Sequence, residues 1–227
     1  MIPVNPVEET SPPPIKEKEF ITWNKTQIHR FLEVARSEDA HIPFLLAIYT
    51  GMRRGEVLGL KWGDIDFANK RIKIQRSLAR TSKGIVFKTP KTRRSKRPVA
   101  ISNYIVDELK NEKIKQDLRK ESSEEVYEEL DLIICTETGK PKDPRNLLRL
   151  FYSLIEKAQV PKISYHDLRH THATLMLEIG ENPKIVSERL GHSRVGITLD
   201  RYSHVNQDMQ QSAAEKFEKA LLHDNEK

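Results

Sequence analysis

The sequence predicts a mainly α domain carrying a small antiparallel β-sheet, an α+β arrangement. Three observations predict it. Apolar residues recur at helical spacing over most of the chain, two short stretches switch to strict alternation, and a single cysteine, Cys135, in 227 residues excludes a disulfide scaffold and a zinc-finger fold. With 37% hydrophobic and 32% charged residues, the chain has the apolar content for a core and a heavily charged surface, which excludes a wholly disordered chain. No apolar run is long enough to cross a bilayer and the first residues lack the apolar stretch of a secretory signal, so a cytoplasmic protein without a membrane partner is expected.

Residues 1–19 hold five of the twelve prolines (Pro3, Pro6, Pro12, Pro13 and Pro14) and read as an extended linker, with further protein expected upstream. From Thr22 the period becomes helical. Ile28, Phe31, Leu32 and Ala35 share one face, with Asn24 or Thr22 as the cap. A second apolar run, Ile42 to Tyr49, ends at Thr50-Gly51, and a third short helix, Arg54 to Leu60, stops at Gly63-Asp64. The period then changes. Arg71 to Arg76 and Arg97 to Ile101 alternate, with Gly84 to Phe87 between them, which predicts a small antiparallel sheet, a hairpin or three strands, apolar on one face and basic on the other. A helix is expected over residues 103–120, a short buried segment at Leu132-Ile133-Ile134, and helices from Asp143 to Leu222, broken near Val160-Pro161, Gly180 and Gly191.

The net charge of +6 is distributed unevenly. Residues 50–100 carry fifteen basic and three acidic side chains, a local +12, which leaves −6 for everything else. Five of the seven residues from Lys91 to Arg97 are basic. A solubilising surface accounts for scattered cations, but a concentrated positive pole favours a phosphate backbone, so a nucleic acid is the expected partner.

Four segments carry candidate chemistry: Thr50-Gly51-Met52-Arg53-Arg54-Gly55-Glu56, Pro90-Lys91-Thr92, His166 through His172, and Leu190-Gly191-His192 followed by Tyr202. Singly, each has a bland reading. His166 and Arg169 share a helix face and point at one spot, yet such a pair also braces helices. His166 and His170 lack the glutamate and third ligand of a zinc motif, and Tyr202, flanked by Arg201 and Ser203, reads equally as a surface tyrosine.

In combination, TGMRRGE, HDLRHTHAT and the LGH…TLDRYSHV ending resemble the catalytic domain of the tyrosine recombinases, the integrase family of temperate phages and conjugative transposons, from about residue 20 to 205. The resemblance implies that fold for residues 20–205. It makes Arg53 the first catalytic arginine, with Arg54 as its neighbour and competitor, Lys91 the hairpin lysine, His166 and Arg169 the histidine and second arginine, His192 the second histidine, and Tyr202 the nucleophile. It also implies a helical core-binding domain upstream, with an arm-binding domain before it, no metal or other cofactor, a tetramer on attachment-site or transposon-end DNA, and accessory directionality or DNA-bending factors.

The chemistry calls for those residue types. Two guanidiniums neutralise the non-bridging oxygens as charge builds, a tyrosine of ordinary pKa about 10 needs a base or a positive surrounding, and an expelled 5′-hydroxyl needs an acid. His166 is the candidate base or, equally, a hydrogen-bond donor to the phosphate, Lys91 the acid, His192 a donor to a non-bridging oxygen, and Glu56 is expected to hold Arg53 in place. A type IB topoisomerase uses the same chemistry, and a DNA-binding module without catalysis would need only the basic sheet. Residues 206–227 form an amphipathic tail (Met209, Ala213, Phe217, Ala220, Leu221) that packs either on its own domain or on a neighbouring protomer.

Overall fold

Asn24 starts helix α1 (Lys25–Ser37) with a reciprocal cap: its side chain accepts from the Gln27 N–H while the Gln27 side chain accepts from its own N–H, each at 2.9 Å. The computed structural model describes residues 21–89, 96–122, 126–192, 195–196, 214–215, 217–218 and 221–222. Helix α2 (Ile42–Thr50) is apolar almost all round and every residue from Ile42 to Ile48 is buried, so it forms the central rod against which α3 (Arg54–Leu58), α4 (Asn103–Glu121) and α6 (Asp167–Glu178) pack. Asp-Pro and Asn-Pro pairs open α5 (Pro144–Ala158) and α7 (Pro183–Leu190): Asp143 accepts from the Arg145 N–H and Asn182 from the Lys184 N–H, each at 2.8 Å, while the proline supplies a helical φ without an orphaned donor.

An aromatic cluster holds α1, α2 and α5 together. Phe31 lies 5.3 Å from Phe44 and 5.5 Å from Phe151, ring centre to ring centre, and Trp23 and Tyr165 close the ends of the group. Both polar tips are satisfied, Trp23 Nε1 donating to the Pro161 carbonyl and Tyr165 Oη to the Pro43 carbonyl, each at 2.8 Å.

The β-structure differs from the single sheet expected. Strands β1 (Ile65–Asp66), β2 (Arg71–Ile74) and β5 (Arg97–Ala100) form one antiparallel sheet in the order β1-β2-β5, whereas β3 (Ser77–Thr81) and β4 (Gly84–Lys88) form a separate hairpin. The break coincides with the contacts of one acidic side chain. Asp64 accepts a hydrogen bond from Gln75 Nε2 at 3.0 Å and pairs with Arg76, pulling the chain out of the ladder just after Ile74. The faces also differ from expectation: Arg71 and Lys73 point outward opposite Ile72 and Ile74, but Arg97 falls on the buried face beside Val99. The third helix ends at Leu58 rather than Leu60, with Gly59 as its cap and a 3-10 turn at Trp62–Asp64 after it.

As expected, α4 covers the helix over 103–120, Leu132, Ile133 and Ile134 are buried, and α5, α6 and α7 follow Asp143 with breaks near Val160-Pro161 and Gly180; the linker expected over residues 1–19 lies outside the described residues. No described helix is long and apolar enough to cross a membrane. Of the tail stripe, Phe217 and Leu221 are exposed, whereas Met209, Ala213 and Ala220 lie outside the described residues.

Candidate active site

The site is built where α2 ends. Gly51 closes that helix in the left-handed region at φ 65°, which turns the chain so that Arg53 stands as the N-cap of α3. A Cβ at Gly51 would lie 2.5 Å from Leu190 Cδ2 and 2.8 Å from His172 Cδ2, so only glycine lets the turn sit against α6 and α7. Arg53 is then fixed from one side. Its backbone N–H donates to Glu56 Oε2 and its Nη1 to Glu56 Oε1, both at 2.9 Å, as the spacing of the two residues leads one to expect.

Glu56 is 5% exposed and lies between two guanidiniums, since Arg97 Nη1 and Nη2 donate to its Oε1 and Oε2 at 3.2 Å each. Burial alone would raise its pKa, but the charge and hydrogen bonds of Arg97, joined by Arg53, outweigh that effect and hold the carboxyl below its ordinary value. Glu56 is therefore an anion that leaves the trio a net single positive charge.

Arg169 comes from the first turn of α6 and is 3% exposed. Its Nη1 donates to the Gly51 carbonyl at 2.7 Å and its Nη2 to the Leu190 carbonyl at 2.6 Å, tying α2 and α7 to α6. The bracing role and the functional role are thus compatible in this residue, for Arg169 also lines the cleft. That cleft, of about 890 Å³, is lined by Arg53, Arg54, Arg80, Arg145, His166 and Arg169 among others. His166 precedes α6, with its ring edge-to-face against His170 at 4.9 Å. Arg80 and Arg145 both contact Asp143, the first through an ion pair and the second through its backbone N–H.

Of the six residues singled out from sequence, the structure thus brings three, Arg53, His166 and Arg169, to one cleft. His192 is half-buried and not among the lining residues. It ends a Schellman motif after α7, its N–H donating to the Ser187 carbonyl at 3.0 Å beside Gly191, and it follows Leu190 by two residues. Lys91 and Tyr202 lie outside the described residues. Among the described residues no group of three or more His, Cys, Asp or Glu side chains is placed to hold a metal ion.

A layer behind the cleft escapes the sequence. Arg189 donates from Nε to His172 Nε2 at 3.1 Å, from Nη1 to the Ala100 carbonyl at 2.8 Å and from Nη2 to the Tyr49 carbonyl at 2.9 Å. His172 Nδ1 bonds the Ile48 carbonyl at 2.8 Å, and burial, then the charges of Arg189 and Arg169, push its pKa down to about 3. For Arg97 a signal was present, since it keeps step with Val99 and Ile101 in the alternation and so belongs on their face. For His172 and Arg189 no spacing announces the contact.

With this geometry established, a family model described as the phage integrase family matches residues 22–209. The chain belongs to the phage integrase family. This integrase-family chain is 36% identical over 211 residues to a "tyrosine recombinase XerC-like" protein of Caldanaerobacter subterraneus subsp. tengcongensis, covering 88% of this chain and 54% of that one. It is 28% identical over 225 residues to the ICEBs1 integrase of Bacillus subtilis, covering 96% of this chain and 59% of that one. The solved integrase of transposon Tn1549, in complex with a circular intermediate DNA, matches with a TM-score of 0.74 at 22% identity, over 88% of this chain and 66% of that one, a likeness of fold. The integrase-family chain spans a little over half the length of these curated relatives.

Proposed function

We propose that residues 20–205 are the catalytic unit of a site-specific DNA recombinase that cuts and rejoins strands through a covalent 3′-phosphotyrosyl intermediate, in the integration and excision of a mobile element or prophage. The observation that carries this reading is the convergence of Arg53, His166 and Arg169, distant in sequence, on one cationic cleft. Membership of the phage integrase family supports it.

In this mechanism Arg53 and Arg169 neutralise the non-bridging oxygens of the scissile phosphate as negative charge develops. The Tyr202 hydroxyl oxygen bonds to phosphorus while His166 takes its proton, and the bond from phosphorus to the 5′-oxygen breaks as Lys91 supplies a proton to the leaving group. His192 donates to a non-bridging oxygen. The phosphotyrosine retains the energy of the phosphodiester, so a different 5′-hydroxyl reverses the step without ATP. Double-stranded DNA is the substrate and partner, the working assembly is a tetramer on attachment or transposon-end sites, with accessory directionality or bending factors, and the reaction takes place in the cytoplasm. Residues 206–227 dock in cis or in trans.

The experiment supplies two duplexes carrying the ends of the element, mapped by footprinting, together with a supercoiled plasmid bearing one end. Recombinant products between the duplexes support the recombinase. Relaxation of the plasmid without recombinants assigns a type IB topoisomerase instead, and binding without either product assigns a non-catalytic module.

A further inference from the structure

Arg97 stands in the most basic stretch of the sequence, yet it is no DNA-facing residue. Its side chain is 6% exposed against 41% for Arg53. Taking a guanidinium out of water is costly unless its donors are met, and here they are: Nη1 and Nη2 fork across Glu56 at 3.2 Å each, and Nε donates to the Arg189 carbonyl at 2.6 Å.

The other half of the geometry concerns Glu56. A carboxylate accepts about four hydrogen bonds. Glu56 receives four: the Arg53 N–H and Arg97 Nη2 on Oε2, and Arg53 Nη1 and Arg97 Nη1 on Oε1. A carboxylate with all its sites filled cannot swing, so the guanidinium of Arg53 is held at one nitrogen and in one direction. With the Arg97 fork removed, half of those sites lose their donors and Arg53 can rotate inward onto the same carboxylate. The bond from Arg97 Nε adds a second link, because the Arg189 carbonyl belongs to the end of α7, one residue before the carbonyl that Arg169 holds and three before His192.

We propose that Arg97 is a positioning residue for strand cleavage, orienting Arg53 toward the scissile phosphate through Glu56 and setting the end of the helix that precedes His192. The inference rests on the reading of Arg53 as a phosphate-binding group. A lysine does not replace it, since one ammonium cannot fork across a carboxylate and also reach the Arg189 carbonyl.

The test uses single-turnover cleavage of a nicked suicide duplex carrying the element's own end, at saturating protein, with wild type, Arg53→Ala, Arg97→Lys and the double variant Arg53→Ala/Arg97→Lys. A fifth protein, Glu56→Gln/Arg97→Gln, removes both buried charges together and so covers the case in which Arg97→Lys does not fold. Arg97→Lys is expected to cleave about 10²-fold more slowly, as a misplaced catalytic group does, with DNA affinity within a few-fold of wild type. The double variant is expected to be no slower than Arg53→Ala. On a duplex whose scissile phosphate is a neutral methylphosphonate, the defects of Arg53→Ala and Arg97→Lys shrink together, which a general loss of packing would not produce. Multiplicative losses in the double variant, or an Arg97 defect that persists on the neutral substrate, overturn the inference while leaving the Arg53 assignment standing. Normal cleavage by Arg53→Ala overturns that assignment and this inference with it.

Discussion

Arg189 Nε donates to His172 Nε2 at 3.1 Å, a bond that fixes the imidazole as the neutral tautomer protonated on Nδ1, because the Ile48 carbonyl on the other side accepts and cannot donate. An arginine and a second cation would not share that contact. The native protein therefore keeps His172 neutral down to about pH 3, whereas the unfolded chain protonates it near its ordinary value of 6.5.

Stability should consequently fall with acid. Above pH 6.5 neither state holds this proton. Below it the unfolded state binds a proton that the native state refuses, so each pH unit down to about 3 removes about 1.4 kcal/mol, or about 2 kcal/mol between pH 6.5 and 5. Urea midpoints across that interval check it: His172→Asn, whose amide donates to the Ile48 carbonyl without titrating, should show the shallower pH dependence. Equal slopes for the two proteins would show that His172 is not the group responsible.

Gly51→Ala meets two obstacles at once. The φ of 65° is unfavourable for alanine, and the new Cβ would press on Leu190 and His172. A loss of about 1–3 kcal/mol is expected from the backbone alone, read from a denaturation midpoint, together with slower DNA cleavage, because Arg169 is anchored on the Gly51 carbonyl. A variant as stable as the parent would mean that the turn relaxes freely.

The two adjacent arginines should separate by kinetics. Arg53→Ala is expected to lose about 10²–10³-fold in cleavage at saturating protein, the usual consequence of removing a group that stabilises transition-state charge. Arg54 also lines the cleft, but the Glu56 carboxylate is filled by Arg53 and Arg97, so Arg54→Ala should weaken DNA binding and reduce its salt slope by about 1 while cleaving within a few-fold of wild type. The reverse pattern would exchange their assignments.

Phe151 sits at the centre of the aromatic cluster, 5.5 Å from each of Phe31, Phe44 and Tyr165 and fully buried. Phe151→Ala should cost about 3–5 kcal/mol. Because Tyr165 both touches this cluster and lines the cleft, the variant should also lower cleavage when assayed below its unfolding temperature. Unchanged thermal stability would contradict the placement of the core.

Much of this arrangement is readable from local pattern. The apolar spacing of Ile28, Phe31 and Ala35, the Asp-Pro and Asn-Pro caps at Asp143 and Asn182, and the change to alternation at Arg71 each report a short-range preference that the tertiary structure respects. The split of the sheet is not local, because it depends on Asp64 capturing Gln75 and Arg76 from eleven and twelve residues away. For the site, His166 and Arg169 are found by their three-residue spacing, which spans the N-cap and first turn of α6, and Glu56 by its nearness to Arg53. The run of charge at residues 91–97 groups Arg97 with the cations expected on the surface, whereas its place in the alternation puts it on the buried face. The contacts of His172 with Ile48 and Arg189 span 124 and 17 residues, and no sequence period encodes them.

Covalent chemistry at Tyr202 is tested by capturing the protein on a suicide duplex nicked beside its cleavage site and mapping the peptide in the adduct. The expected result is an adduct stable to denaturant, with the 3′-phosphate of the cut strand attached to the peptide containing Tyr202 and no adduct from Tyr202→Phe. An adduct that survives Tyr202→Phe, or one joined through the 5′-phosphate, would contradict it.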